Sequence, residues 1–184
     1  MASIRPNTPA ETPAQDNVFT LWQLPNQTPT QMMSYVMKTQ RGKLIVLDGG
    51  NAGDAPYLAE FLKNLGNEVD AWFISHTHSD HFNALREILK NPGDLKIKAI
   101  YGSMPDADWM TSHSSEEEQK VYGEFMKTLA DSGRTVEGLT LGQEMTIDGV
   151  LIEILAVKNP EILPNGVNNS SLIFKVSDAS KSVL

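Results

Sequence analysis

Val69-Asp70-Ala71-Trp72-Phe73-Ile74-Ser75 runs directly into His76-Thr77-His78-Ser79-Asp80-His81. The first seven residues are mostly apolar and rich in aromatic and β-branched side chains, the composition of a buried strand. The next six are polar and include four side chains able to bind a metal. From this composition the His-x-His-x-Asp-His spacing arises by chance on the order of once in 10,000 chains, so an accidental polar loop is the weaker reading. In extended backbone, residues two apart project to the same side, so His76 and His78 can grip one ion together. Asp80 and His81 follow as the chain turns toward a helix, where they can point to a second position. Imidazole nitrogen beside a hard carboxylate suits zinc, iron or manganese. The end of a strand and the start of a helix is also where open α/β folds place ligands.

Upstream, residues 19–24, 32–39 and 43–47 read as strands, the last two divided by the Arg41-Gly42 turn signal. Asp48-Gly49-Gly50-Asn51 ends the third strand. Asp54 suits a helix N-cap, and Tyr57, Leu58, Phe61, Leu62 and Leu65 recur at helical spacing until Gly66. Downstream, the pattern predicts a helix over 83–89, ended by Asn91-Pro92-Gly93, and a strand over 95–101. Residues 105–115 look like an insertion rich in Asp, Ser and Met. A helix over 116–129 follows, with Val121, Phe125 and Leu129 on one face. Short strands near 135–136, 144–147, 150–156 and 171–176 close the pattern, and Asp148-Gly149 is the dipeptide of a tight hairpin. Strands in runs, with helices between some of them, predict a layered α/β fold.

At the histidine segment the chain resembles the metallo-β-lactamase-fold hydrolase superfamily, whose signature is His-x-His-x-Asp-His. Leu44-Ile45-Val46-Leu47-Asp48-Gly49-Gly50 resembles that family's strand and acidic turn, and residues 69–75 its signature-bearing strand. The resemblance runs from about Val18 onward and implies a four-layer αββα sandwich over 18–184. It implies one or two divalent metals, most simply zinc, that activate water for hydrolysis. His76 and His78 would hold the first ion and Asp80 and His81 the second, with Asp80 also placed to orient the nucleophile. Asp48 would support the site from behind. Where many members carry a further His, this chain reads Gly166-Val167-Asn168-Asn169-Ser170-Ser171-Leu172. That pattern is similar to the branch containing the hydrolase domain of bacterial DNA-uptake competence proteins. Asn168 or Asn169 would then either face the site or serve only the turn. Family members also carry a Gly-Asp after the next strand and a later His, and this chain stops at Leu184, after the strand-like Ser182-Val183-Leu184. The expectation is therefore a fragment truncated within the domain, weak in metal retention and activity on its own. Its exposed strand edges could support a homodimer.

The chain's 184 residues carry 15 Lys and Arg against 23 Asp and Glu, four His and no Cys, for a formal charge of −8. The scattered basic residues offer no nucleic-acid patch, although a metal can supply local positive charge for a phosphodiester substrate. β-Lactams, lactones and thioesters are the competing substrate classes, and a non-catalytic metal-binding scaffold is the competing role. No apolar stretch is long enough to span a membrane. Residues 1–17 read as a linker-like tail without signal-peptide character, so a soluble chain is expected, cytoplasmic or exported. His113 reads as an exposed loop histidine, the run Glu116-Glu117-Glu118 as charge complementing a helix N-terminus, and Trp22 and Trp72 as core. Trp109 and Met110 lie either in a lid near the site or in a plain surface insertion.

Overall fold

The computed structural model describes residues 19–162 and 164–184, so the tail read at 1–17 lies outside the described residues. The first sheet contains β1 (Phe19–Gln23), β2 (Ser34–Thr39), β3 (Leu44–Asp48), β4 (Glu68–Ile74), β5 (Lys96–Ile97), β6 (Ile100–Gly102) and β7 (Val136–Gly138). Its order is β1-β2-β3-β4-β6-β7, with β5 paired to β4. β1, β2 and β3 pair antiparallel, while β4 runs parallel to β3, β5 and β6, and β6 runs parallel to β7. The second sheet is an antiparallel set of β8 (Glu144–Ile147), β9 (Val150–Ala156), β10 (Ile173–Ser177) and β11 (Ser182–Val183), in the order β11-β10-β9-β8. The helices are α1 (Ala55–Leu65), α2 (Ser79–Lys90), α3 (Ala107–His113), α4 (Glu116–Asp131) and the single turn α5 (Gly166–Asn169).

The near-continuous apolar runs of β3 and β4 follow from burial on both faces of a parallel pair. Successive side chains alternate between two cores. Leu44, Val46, Trp72 and Ile74 pack with Leu58 and Leu62 of α1, Phe82 and Leu85 of α2 and Phe125 of α4. Ile45, Ala71 and Phe73 pack instead with Val150, Ile152, Ile154 and Phe174 of the second sheet. Each buried Leu, Ile, Val or Phe among them contributes roughly 1.5–3 kcal/mol. The described residues thus form a helical layer and two sheets; a helix layer on the outer face of the second sheet is not among them. Among the described residues, no helix is long and apolar enough to cross a membrane.

Asp148 (φ 52°) and Gly149 (φ 81°) form the expected hairpin turn with two positive φ values. Asp148 also accepts hydrogen bonds from Thr39 Oγ1 (2.5 Å) and the Arg41 backbone N–H (3.1 Å), tying the second sheet to the β2–β3 turn.

Several expectations need correction. α2 begins at Ser79 rather than 83, because His78 keeps an extended backbone (φ −84°, ψ 146°) and the helix starts immediately after it. Asp54 does not cap α1 through its side chain; its carboxylate instead accepts from the backbone N–H groups of Asn51 (2.8 Å) and Gln27 (2.7 Å). The strand expected over 95–101 is two short pieces, β5 and β6. Residues 107–113, read as an insertion loop, form α3, whose N-cap Asp106 accepts from the Trp109 N–H at 2.8 Å. The strand expected from 171 begins at Ile173, since the backbone N–H groups of Ser171 and Leu172 go to Asn168 O (3.2 Å) and Ser75 O (2.7 Å) instead of to β9.

Candidate metal centre

The C-terminal ends of β3 and β4 lie side by side, and the site is built where they stop. Asp48 ends β3 with a left-handed backbone (φ 56°), a conformation Asp tolerates better than most residues. Its carboxylate reaches across to the end of β4. There it accepts hydrogen bonds from Ser75 N–H (2.8 Å), Ser75 Oγ–H (2.7 Å) and His81 Nδ1–H (2.8 Å). The Ser75 hydroxyl has one proton, given to Asp48, so its lone pairs are free to accept from His76 Nδ1–H at 3.0 Å. These contacts place a ring proton of His76 and of His81 on Nδ1, so that in the neutral form of either ring Nε2 carries the lone pair.

The four residues picked out in the sequence come together. His76 Nε2 lies 3.1 Å from His78 Nδ1, and the His76 and His81 rings have centroids 3.9 Å apart. His81 Nε2 stands 3.6 Å from Asp80 Oδ2, which also accepts from Gln31 Nε2–H at 3.1 Å. The nitrogens and oxygen able to bind a cation therefore pair off: His76 with His78, and Asp80 with His81. Among the described residues, no three His, Asp or Glu side chains already form a cage around one point. The chemistry of the set still fits divalent cations, because each pair offers two donors whose outer hydrogen bonds fix their orientation.

Burial, reinforced by the neighbouring charges of His81 and His78, pushes the His76 pKa down to about 3. It is thus neutral near pH 7, the state that offers a lone pair. For His81, burial pulls downward, but the hydrogen bond and charge of Asp48, with the charge of Asp80, outweigh it and the pKa rises.

A cavity of about 400 Å³ opens over the site, lined by Gln31, His78, Ser79, Asp80, His81, Glu118 and Asn168. Asn168 on α5 faces His76 and this cavity. Asn169 serves the turn, donating from Nδ2 to Pro164 O at 2.7 Å. Glu118 of α4 stands 3.2 Å from His78 Nε2. An apolar groove of about 300 Å³, lined in part by Leu21, Tyr35, Phe174 and Leu184, shares no residue with the histidine site.

Residues 28–155, well over half of the chain, match the family model for the metallo-beta-lactamase superfamily. The chain belongs to the metallo-beta-lactamase superfamily. Superfamily members are typically metal-dependent hydrolases that bind divalent ions, usually zinc. Among solved structures the chain is similar to a Cronobacter sakazakii metallo-beta-lactamase with a HARLDQ motif. That match has a TM-score of 0.52 and 20% identity, covering 82% of this chain and 56% of that one. It is also similar to MEM-A1, a subclass B3 metallo-beta-lactamase from a soil metagenome library, with a TM-score of 0.52 and 15% identity over 83% of this chain and 54% of that one. At these identities the likeness is one of fold. The chain spans a little over half the length of both structures. No curated protein matches it.

Sequence reasoning missed several residues around the histidine turn. Ser75 was visible only as the last residue of a strand, and Gln31 lies in an unpatterned loop. Glu118 carried a helix-end signal that gave no hint of His78. His113, expected on an exposed loop, is a half-buried residue of α3; it stacks on Trp109 at 4.2 Å, and its Nδ1–H donates to Trp109 O at 2.8 Å. α3 packs against the histidine-bearing turn, with Thr77 Oγ1 donating to Met110 Sδ at 3.4 Å. Trp72 is core as expected, while Trp22 is half-buried with its edge on Phe61.

Proposed function

We propose that this chain carries the metal-binding part of a metal-dependent hydrolase. His76 and His78 hold one divalent cation, and Asp80 and His81 hold a second, zinc being the preferred ion and manganese or iron alternatives. The observation that supports this most strongly is the 3.1 Å approach of His76 Nε2 to His78 Nδ1. With the proton of His76 committed to Ser75, a bare lone pair faces its neighbour across a gap that a cation would stabilise.

A bound divalent ion supplies a Lewis acid and lowers the pKa of water from 15.7 toward about 7. The chain's own residues do the rest. Ser75 and Asp48 fix which ring nitrogens face the site. Gln31 holds Asp80 in place, and Asp80 can both bind the ion and orient an attacking water. Asn168 and Glu118 shape the cavity mouth. We favour phosphodiesters as substrates, on the Asn168 side chain beside His76 and the Asn-Asn-x-Ser-Leu pattern around it; β-lactams, lactones and thioesters are the alternative. Because the chain spans about half of the structures it matches, turnover is proposed for the whole protein rather than for these residues alone.

The test measures zinc per chain and turnover together. His76→Ala/His78→Ala and Asp80→Ala/His81→Ala variants are each expected to lose a large part of the bound zinc. A phosphodiester, a lactone and a β-lactam then sort the substrate classes. Wild-type protein that takes up no zinc at micromolar concentration refutes the reading. A second reading, a metal-binding module without turnover, draws on the absence of a three-ligand cage among the described residues. Zinc uptake without hydrolysis of any of the three substrates by the whole protein would favour it.

A further inference from the structure

We infer that Glu118 is a positioning residue for His78: α4 delivers a carboxylate that fixes which nitrogen of His78 faces the site. This rests on the metal-centre reading above and adds a residue from a separate part of the fold.

The two oxygens of Glu118 have separate tasks. Oε2 closes the capping box of α4, accepting from Ser115 N–H at 2.7 Å and Ser115 Oγ–H at 2.6 Å. Oε1 is left to face His78 Nε2 at 3.2 Å. A carboxylate only accepts, so His78 must donate from Nε2, and its Nδ1 lone pair is left bare toward His76. A histidine that binds a cation through one nitrogen commonly donates its other N–H to a carboxylate, which fixes the tautomer and ring orientation. Glu118 is well placed for this because the helix cap already holds it, so little side-chain entropy is lost in making the contact. The capping box alone explains Oε2. It does not account for Oε1 meeting an imidazole 40 residues away in sequence.

With Ser75 holding the proton of His76 on Nδ1 and Glu118 holding that of His78 on Nε2, two lone pairs oppose each other at 3.1 Å. The neutral alternative is an N–H donated from His78 Nδ1 to His76 Nε2. That arrangement closes the pair to a cation and is the one Glu118 disfavours.

Glu118→Gln separates these states, because Gln also serves in a capping box. Its amide oxygen takes the Ser115 hydrogen bonds and its N–H₂ faces His78 Nε2. His78 then accepts at Nε2 and carries its proton on Nδ1. Ser115→Ala is the control: it weakens the cap but leaves Glu118 beside His78. Long-range 1H–15N spectra of the metal-free protein read the His78 tautomer, and titration with Co2+, followed by its visible absorption, reads affinity. The expected result is a proton moved to Nδ1 in Glu118→Gln with affinity about 10–100-fold weaker, and an unchanged tautomer in Ser115→Ala. An unmoved tautomer in Glu118→Gln overturns the inference. So does an equal loss of affinity in Ser115→Ala, which would reduce Glu118 to a helix cap. If the tautomer moves as expected but neither wild type nor variant binds Co2+, the positioning role stands and the metal-centre reading fails.

Discussion

Asp48→Asn perturbs the site with little change of shape, and Asn tolerates the left-handed backbone at φ 56° as well as Asp does. Asp48 accepts three hydrogen bonds, from Ser75 N–H, Ser75 Oγ–H and His81 Nδ1–H, at 2.7–2.8 Å. Bonds to a charged acceptor contribute roughly 1.5–3 kcal/mol and neutral ones about 1 kcal/mol, so the amide costs ~3 kcal/mol over the three. The substitution also forces a choice. If the amide oxygen takes the two side-chain donors, its N–H₂ opposes the Ser75 backbone N–H and strands a buried donor, at about 1–3 kcal/mol. If the oxygen keeps the backbone N–H, the N–H₂ faces Ser75 Oγ and His81 Nδ1. Both can accept once His81 moves its proton to Nε2. The second arrangement keeps the backbone donor paired and turns the Ser75 hydroxyl proton toward His81 Nδ1, 3.1 Å away, so it is the cheaper. It places an N–H where His81 offered a lone pair toward Asp80. Urea unfolding should therefore show a loss of about 3 kcal/mol with an unchanged slope. Long-range 1H–15N spectra should place the His81 proton on Nε2, and cation affinity should fall about 10–100-fold. A variant whose His81 keeps its proton on Nδ1 and binds zinc like wild type would refute the reasoning, whatever its stability.

Phe82→Ala removes a side chain that is 1% exposed and stacked on Phe125 at 4.6 Å, the contact that seats α2 on α4. A loss of about 3–5 kcal/mol in urea unfolding is expected, and a loss below 1 kcal/mol would mean the two helices are held elsewhere. Zinc at about 100 times its dissociation constant should stabilise the fold by ~2.7 kcal/mol, seen as a rise in melting temperature that chelation reverses. In the metal-free protein, His76 titrates near 3 when folded against about 6.5 when unfolded. The unfolded chain therefore binds the extra proton on acidification, and stability should fall by up to about 1.4 kcal/mol per pH unit between pH 6 and 4. His81, raised when folded, works the other way: its contribution is present below its unfolded pKa and fades as pH rises through its folded one. His76→Gln should flatten the acid limb, and an unflattened limb assigns it to other groups.

The sequence made the strand before the histidines legible because a strand buried on both faces has no polar positions to confuse its pattern, as Ala71 to Ile74 show. α1 and α4 were legible for the complementary reason: each has one apolar stripe, and Leu58, Leu62, Phe125 and Leu129 mark the buried side. The start of α2 was not. Ser79, Asp80 and His81 are polar, and the first turn of that helix is held by its place in the site rather than by an apolar face. α3 hid for a similar reason, since seven residues give a periodic pattern little room to show. The four candidate ligands were readable because one short segment carries them all. Asp48 was readable as a support only through the family resemblance, and Gln31 and Glu118 were not readable, because they arrive from 49 and 40 residues away and only packing brings them to the turn.

Charge explains why such a constellation is stable enough to keep. Asp80 lies in the first turn of α2, where the helix dipole favours a negative group and disfavours a cation. Three imidazoles at the same helix start would be costly if protonated, and His76 is held neutral. Around them stand three carboxylates, Asp48, Asp80 and Glu118, and the residues lining the cavity include no Lys or Arg. The chain's formal charge of −8 adds a field of the same sign. Imidazole nitrogens inside a ring of carboxylates attract metal cations and repel anions. An anionic substrate such as a phosphodiester would thus meet an unfavourable potential until divalent ions are in place. The electrostatics therefore predict an order of events, metal first and substrate second. Equilibrium binding of a non-hydrolysable phosphodiester should be undetectable without zinc and appear on its addition. Binding of equal strength in the presence of a chelator would show that the recognition lies elsewhere on the surface.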